Sequence, residues 1–286
     1  MLAAGVKHTA LIVGTSNAIG FGLTTVFETH KLTDLVGVGS FVLATASLSH
    51  KYGIFNKPIN LRIALINSMV MMWGARLATH LFSRVLYTHE DKRLSQFFKE
   101  KDEGWFDQKR SNYPINLAGF WFIQSLWGII CLTPVSLINS VKGNHKSLGL
   151  LSLIPIITGF AGLCIETIAD HQKNVFRSDS KNDGKVCDVG LYKIVKYPNY
   201  LGEIVLWWSV WAASIPLLSP IQSAISIISP SFITFLLLRV SGIPLLEVSS
   251  KKKYGKGEHA KEYEKYIENT PDLIPFLNVK KSKKNT

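Results

Sequence analysis

The sequence predicts an all-α integral membrane protein of about seven transmembrane helices, with no soluble Rossmann domain. Three observations predict this fold class. Charged residues make up only 18% of the 286 residues, whereas about a quarter is typical of soluble domains. Hydrophobic residues make up 47%, and the mean hydropathy is +0.17. The hydrophobic residues are also concentrated in long stretches, and about 20 apolar residues are enough to cross a bilayer as a helix.

Seven apolar stretches are the predicted spans. They cover residues 10–29, 35–50, 61–87, 114–138, 148–169, 199–218 and 221–247. The third, fourth and fifth are the strongest, while the second is short and the first two are rich in Gly and Thr. We therefore predict two N-terminal spans in residues 1–60, a membrane domain over residues 61–277, and a basic tail over residues 278–286.

The distribution of basic residues predicts the orientation. With seven spans, one side of the membrane receives residues 31–34, 88–113, 170–198 and 248–286, which hold 23 of the 32 Lys and Arg residues. Cytosolic loops carry such an excess, so this side and the C-terminus are predicted to be cytosolic. The terminal Lys283-Lys284-Asn285-Thr286 resembles a dilysine signal, which coat machinery reads on cytosolic tails. We expect a multi-pass protein of the endoplasmic reticulum membrane.

Composition excludes several other classes. The net charge of +12 does not indicate a nucleic-acid partner, because the basic residues follow the predicted cytosolic loops. Cys131, Cys164 and Cys187 have no paired spacing, so they predict neither a zinc site nor a disulfide framework.

A glycine-rich stretch near the N-terminus is similar to the phosphate-binding turn of a Rossmann domain. That turn requires a strand before it and a helix after it. Here the spacing from Gly14 to Gly20 is too long, and another apolar segment follows. Glycines at this spacing are more typical of membrane helices that approach each other closely.

The third predicted span carries three cationic or protonatable residues. Arg76, His80 and Arg84 are spaced four apart and therefore share one helix face. Ionisable groups within a span are costly to insert, so by default they serve a function. Arg84 alone could extend to the interface. All three together suit an anionic ligand.

The segment between the fifth and sixth spans has the most informative pattern. Glu166 and Asp170 share a helix face at the end of the fifth span. Pro198 is suited to begin the next helix, Gly202 allows a ligand or a second helix to come close, and Glu203 is buried one turn in. A buried carboxylate beside Asn199 and two tyrosines indicates a hydrogen-bonding site rather than packing.

Several segments together resemble the steroid 5α-reductase-like membrane family, in particular its DUF1295 branch, over about residues 70–277. They are Trp73-Gly74-Ala75-Arg76-Leu77, Glu166 to Lys173, Pro198-Asn199-Tyr200-Leu201-Gly202-Glu203, Ser241 to Glu247, Lys253-Tyr254-Gly255, Tyr263 and Tyr266. The resemblance implies seven helices, NADPH in a pocket open to the cytosol, and a lipid substrate that arrives from the bilayer. The family often has Arg-His where this chain has Lys196-Tyr197, and lysine cannot bind phosphate in the bidentate manner of arginine.

The resemblance also implies roles for individual residues. The implied NADPH-binding residues are Asp170, Arg177, Tyr192, Lys196, Asn199, Tyr200, Glu203, Tyr254, Tyr263 and Tyr266. Candidates to bind substrate or phosphate are Arg76, Arg84, Glu166 and Glu247. His80 and Tyr87 are the candidate proton donors.

The leading hypothesis is an NADPH-dependent reductase of a carbon–carbon double bond in a lipid or steroid-like substrate. A general acid would polarise the substrate carbonyl or protonate the α carbon. One alternative is an S-adenosylmethionine-dependent membrane methyltransferase, because such enzymes share a distant Arg-His-Pro-x-Tyr-x-Gly element. The other is a lipid-binding protein of the endoplasmic reticulum without catalytic activity.

Overall fold

The computed structural model describes residues 4–56, 59–88, 92–99, 103–108, 111–141 and 149–275. Within these ranges the chain is helical and has no β-strand, so the predicted all-α class is confirmed for them. The α-helices are α1 (Ala4–Val26), α2 (Thr33–Lys51), α3 (Leu61–Thr88), α4 (Lys92–Ser95), α5 (Ile115–Cys131), α6 (Thr133–Asn139), α7 (Leu150–Ser178), α8 (Pro198–Ser214), α9 (Pro220–Ser226), α10 (Ile228–Phe235), α11 (Ile243–Tyr254) and α12 (Ala260–Asn269).

Three helical stretches among the described residues are long and apolar enough to cross a membrane. They are Ala4–Val26, Leu153–Ser178 and Pro220–Tyr254. A fourth is added if α5 and α6, which are bent by 50° to each other, form one span. These stretches indicate a multi-pass membrane protein. The prediction of seven spans also uses α2, α3 and α8. These helices are not both long enough and apolar enough to be counted as candidate spans; α8, for example, has only 17 residues.

The chain divides into two compact units. The first is Met1–Ile156 with Val210–Ser229, and the second is Ile157–Ser209 with Pro230–Thr286. In the first unit, the buried Phe41 packs against Trp73 of α3 and Trp127 of α5. Two buried side-chain amides also join α3 to α6 there. Asn67 and Asn139 each donate a hydrogen bond to the other, over 2.9 and 3.1 Å. Such polar contacts are typical of helix packing in membranes, where the hydrophobic effect does not drive helices together.

The glycine-rich stretch near the N-terminus lies inside α1, which is continuous from Ala4 to Val26. It therefore forms no phosphate-binding turn, as expected. A Cβ atom on Gly20 would overlap the ring of Trp121 in α5, whereas one on Gly14 or Gly22 would meet no atom within 4 Å. Close helix approach therefore explains Gly20 but not the other two glycines.

In the second unit, α7 and α8 touch through their backbones. A Cβ atom on Gly202 would lie 2.5 Å from the carbonyl oxygen of Gly162 and 2.7 Å from the amide nitrogen of Glu166. A Cβ atom on Gly162 would lie 2.7 Å from the carbonyl oxygen of Gly202. Of the two roles expected for Gly202, contact with a second helix is the one that this packing provides.

The segment that links α7 to α8 is fixed to α7 by a side chain. Gln172 Oε1 accepts a hydrogen bond of 2.9 Å from the Leu191 amide, where the chain makes a 3-10 turn over Gly190–Lys193. Gly190 has a φ of +54° and leaves no room for a Cβ atom beside Gln172. The Gln172 side chain therefore positions the turn that carries Tyr192.

Candidate functional site

The second unit contains a cavity of about 500 Å³, a volume within the range of small-molecule sites. Its walls come from the end of α7, the segment between α7 and α8, and helices α11 and α12. The helix α7 reaches the cavity because it continues to Ser178, beyond the predicted end of its apolar stretch at residue 169. The last turns of α7 thus contribute Lys173 and Arg177 to the cavity.

Six of the ten residues that the resemblance assigned to the cofactor line this cavity. They are Arg177, Tyr192, Lys196, Tyr254, Tyr263 and Tyr266. Glu247, a candidate to bind substrate or phosphate, lines it as well. These residues come from four separate segments of the chain, and the fold brings them together around one volume.

Four other predicted cofactor residues do not line the cavity. Asp170 lies close enough to Tyr192 for its charge to act on the tyrosine, and the ring of Tyr200 stacks on that of Tyr197 at a centroid distance of 6.1 Å. Asn199 and Glu203 belong to the start of α8, and Glu203 is buried.

The remaining predicted residues lie elsewhere. Glu166 is buried at the contact of α7 with Gly202. Arg76, His80 and Arg84 are half-buried residues of α3, in the first unit. The side chain of Tyr87 and the tail with Lys283 and Lys284 lie outside the described residues, so their predicted roles stay predictions.

The cavity has more basic than acidic side chains. Its five basic residues are Lys173, Arg177, Lys196, Lys251 and Lys253, and its three acidic residues are Glu247, Glu264 and Glu268. Two of the lysines also lie over aromatic rings: Lys173 Nζ is 5.2 Å from the ring centroid of Tyr192, and Lys253 Nζ is 5.2 Å from that of Tyr254. Cations beside aromatic faces suit a ligand that carries both phosphate groups and planar rings.

Three tyrosines of the cavity, Tyr192, Tyr197 and Tyr266, have a raised pKa and remain neutral at physiological pH. Burial raises the pKa of Tyr192, and the nearby charge of Asp170 raises it further. Burial likewise raises the pKa of Tyr197 and Tyr266. Because each pKa moves upward from about 10, deprotonation requires an even higher pH than usual, and the phenols keep their protons for donation.

The hydroxyl of Tyr192 is the polar atom that indicates a ligand. Tyr192 is 2% exposed, and its hydroxyl is buried without a hydrogen bond to any of the described residues. The backbone carbonyl of Tyr192 is satisfied, because it accepts a hydrogen bond of 2.9 Å from the Tyr266 hydroxyl. Buried hydroxyls in native proteins nearly always have a partner, and a bound ligand would supply one here.

Lys196 forms an ion pair with the segment that follows α12. Its Nζ atom lies 2.5 Å from Asp272 Oδ1, and its side chain is only 8% exposed. The amides of Lys196 and Tyr197 also donate hydrogen bonds to the carbonyls of Pro271 and Asp272, over 2.8 and 3.1 Å. The charge of the Lys196 ammonium group is therefore balanced within the chain by Asp272.

We expect Asp272→Asn to strengthen the binding of inorganic pyrophosphate roughly fivefold, equivalent to about 1 kcal/mol. The substitution removes the carboxylate that competes with an anionic ligand for Lys196. Isothermal titration of the purified protein with pyrophosphate measures the change, and Asp183→Asn is the matched control because Asp183 lies in an exposed turn of the same unit. An unchanged pyrophosphate affinity together with a lower melting temperature would mean that the ion pair is only structural.

Several residues of the cavity were not predicted from the sequence. Lys173 precedes Arg177 by four residues on the same helix, and this spacing could have identified it. No sequence signal indicated Cys187, which is 6% exposed and lines the cavity. Burial raises the pKa of its thiol, so the group stays protonated and poorly nucleophilic.

A protein-family model matches most of the chain. The model described as "Protein of unknown function (DUF1295)" matches residues 20–270. The chain belongs to the DUF1295 family. The match includes every residue named above as lining the cavity, so the site lies within the DUF1295 region. No curated protein and no solved structure matched the chain.

Proposed function

We propose that this DUF1295 protein is an NADPH-dependent reductase of a carbon–carbon double bond in a lipid or steroid-like substrate. The observation that carries the proposal is the cavity of the second unit, where basic side chains and buried tyrosines surround about 500 Å³. The proposed type of reaction comes from the resemblance of the sequence motifs to the steroid 5α-reductase-like family. The proposal includes seven spans and an endoplasmic reticulum location with a cytosolic C-terminus.

The residues of the cavity fit a phosphorylated dinucleotide. Arg177, Lys173 and the two α11 lysines would hold phosphate groups, because charge-assisted hydrogen bonds to phosphate are among the strongest available. The faces of Tyr254 and Tyr263, whose ring centroids are 5.8 Å apart, offer an aromatic surface for a planar base. The Tyr192 hydroxyl would donate a hydrogen bond to an acceptor atom of the ligand.

The chemistry would be divided between the cofactor and the chain. NADPH, when bound, supplies a hydride for the β carbon of a conjugated double bond. Tyr192 and Tyr266 would bind and orient the ligand, and their raised pKa values keep both hydroxyls as hydrogen-bond donors throughout the physiological range. The candidate proton donors His80 and Tyr87 belong to α3 in the first unit and remain hypotheses.

The charge of the cavity favours NADPH over S-adenosylmethionine. S-adenosylmethionine carries a sulfonium cation. Without Lys196, which Asp272 neutralises, the cavity has four basic and three acidic side chains, and this excess of positive charge opposes a cationic ligand. A non-catalytic binder of a neutral lipid would need no cluster of cations around an aromatic cavity. The cluster therefore supports a phosphorylated ligand such as NADPH over S-adenosylmethionine and over a neutral lipid.

A thermal-shift panel tests the proposal. The detergent-purified protein is melted alone and with NADPH, NADH or S-adenosylmethionine. At about 100 times its Kd, a ligand stabilises the native state by about 2.7 kcal/mol, which corresponds to roughly 5–10 °C. We expect this increase with NADPH. A shift with S-adenosylmethionine alone would identify a methyltransferase instead, and the absence of any shift would favour the non-catalytic lipid binder.

Tyr192→Phe is the most selective variant for this panel. It removes only a hydroxyl that has no hydrogen-bond partner among the described residues, so the melting temperature without ligand should be unchanged or slightly higher. If the hydroxyl binds the cofactor, the Kd for NADPH should rise by roughly 2- to 10-fold. An NADPH affinity equal to that of the wild type would remove Tyr192 from the site.

A further inference from the structure

Two large aromatic side chains are exposed in the loop before α5. Trp105 is 50% exposed and Phe106 is 59% exposed. They are consecutive residues of the first unit, in a segment that is not part of any helix. Two adjacent exposed aromatic rings form a candidate contact surface.

Hydrogen bonds hold the loop that carries this pair of rings in a fixed conformation. Phe106 has a φ of +62°, a conformation that is unfavourable for an aromatic residue. Its amide donates a 2.7 Å hydrogen bond to the Tyr113 carbonyl. The buried carboxylate of Glu103 closes the loop by accepting hydrogen bonds of 2.7 and 2.6 Å from the amide and hydroxyl of Ser111. A strained residue that its surroundings hold in place is a sign of function.

The loop lies where two candidate spans end. The Tyr113 hydroxyl donates a 2.7 Å hydrogen bond to the carbonyl of Thr25, one residue before the end of α1. Two residues after Tyr113, α5 begins. Lys99 also contacts both parts of this region. Its Nζ atom lies 2.8 Å from Glu28 Oε1 and 5.6 Å from the ring centroid of Trp105. The end of α1 and the start of α5 therefore meet beside Trp105.

We propose that Trp105 and Phe106 form an interfacial anchor that binds the headgroup boundary of the bilayer at this end of the first unit. The partner is a phospholipid surface. Tryptophan prefers this boundary, since its ring is apolar and its N–H can bond to headgroups. The ion pair of Lys99 with Glu28 beside the ring suits the same depth, because paired charges are tolerated at the polar boundary of a bilayer. The anchor goes beyond the reductase proposal and does not depend on it.

Fluorescence quenching by brominated lipids tests the anchor. The full chain is reconstituted into phosphatidylcholine vesicles with lipids brominated near the headgroup or deep in the acyl chains. The chain has seven tryptophans, so the signal of Trp105 is taken as the difference between the wild type and Trp105→Phe, which keeps an aromatic ring in the loop. We expect the lipid brominated near the headgroup to reduce this difference in fluorescence at least twofold, and aqueous iodide to reduce it little.

Two results would overturn the anchor. Strong quenching by iodide with none by either brominated lipid would place Trp105 in water. Resistance to both quenchers would mean that a protein surface, such as a second copy of the chain, covers the loop. Circular dichroism of both proteins in the vesicles controls for folding. If Trp105→Phe fails to fold, Phe106→Trp provides an added fluorophore at the neighbouring position, with the same quenching expected.

Discussion

Replacing Gly202 with valine is expected to lower the melting temperature of the detergent-purified protein by roughly 5–10 °C, the effect of about 2–3 kcal/mol in a chain of this size. A Cβ atom at this position would lie 2.5 Å from the carbonyl oxygen of Gly162 and 2.7 Å from the amide nitrogen of Glu166. Both neighbours are backbone atoms of α7, so no side-chain rotation can relieve the overlap. Helices α7 and α8 must separate instead.

The separation should also weaken ligand binding. The helix α7 carries Lys173 and Arg177 into the cavity, and the segment that leads into α8 carries Tyr192 and Lys196. A shift of α7 against α8 therefore moves two cations relative to the other walls. We expect Gly202→Val to bind NADPH more weakly than the wild type at temperatures well below its own melting temperature, so that NADPH raises its melting temperature little.

Gly22→Val is the matched control for this experiment. It places the same side chain in α1, where a Cβ atom would meet nothing within 4 Å. The intrinsic helix propensity of valine is the same in both variants, so only the local contact differs. Equal melting temperatures for the two variants would contradict the close contact of α7 with α8.

The sequence predicted the helical architecture because its signal is local. Each of the seven apolar stretches overlaps one or more of the helices described here, since an apolar run of this length must satisfy its backbone hydrogen bonds internally in a membrane. The end of α7 was harder to predict. The helix continues from residue 169 to Ser178 through polar residues, and hydropathy alone does not detect such an extension.

The site was predictable only where residue type and spacing carry information. Arg177, Tyr192 and Tyr266 were assigned through the resemblance, and they line one cavity. The ion pair between Lys196 and Asp272 joins positions that are far apart in sequence, and tertiary packing alone brings them together. Gly202 shows the same limit, because the sequence allowed either a ligand or a helix beside it, and only the packing with Gly162 distinguishes them.

Removing the guanidinium of Arg177 is expected to raise the Kd for NADPH by roughly 10- to 100-fold in Arg177→Met, because a hydrogen bond to a charged group contributes about 1.5–3 kcal/mol. Arg177 lies in the last turn of α7 and is exposed at the cavity. Methionine keeps much of the length and the helix propensity of arginine, so folding should be retained. Isothermal titration at several salt concentrations measures both the loss of affinity and its electrostatic part.

Lys193→Met controls for the general loss of positive charge. Lys193 is an exposed residue of the same unit, in the turn next to Tyr192, and it does not line the cavity. The wild type and Lys193→Met should lose NADPH affinity steeply as salt increases, whereas Arg177→Met should show a shallower dependence, because one ligand-facing charge has been removed. If NADH binding falls as much as NADPH binding, Arg177 contacts the pyrophosphate that both share. A loss confined to NADPH assigns Arg177 to the 2′-phosphate, and equal effects of Arg177→Met and Lys193→Met would contradict the cavity as the nucleotide site.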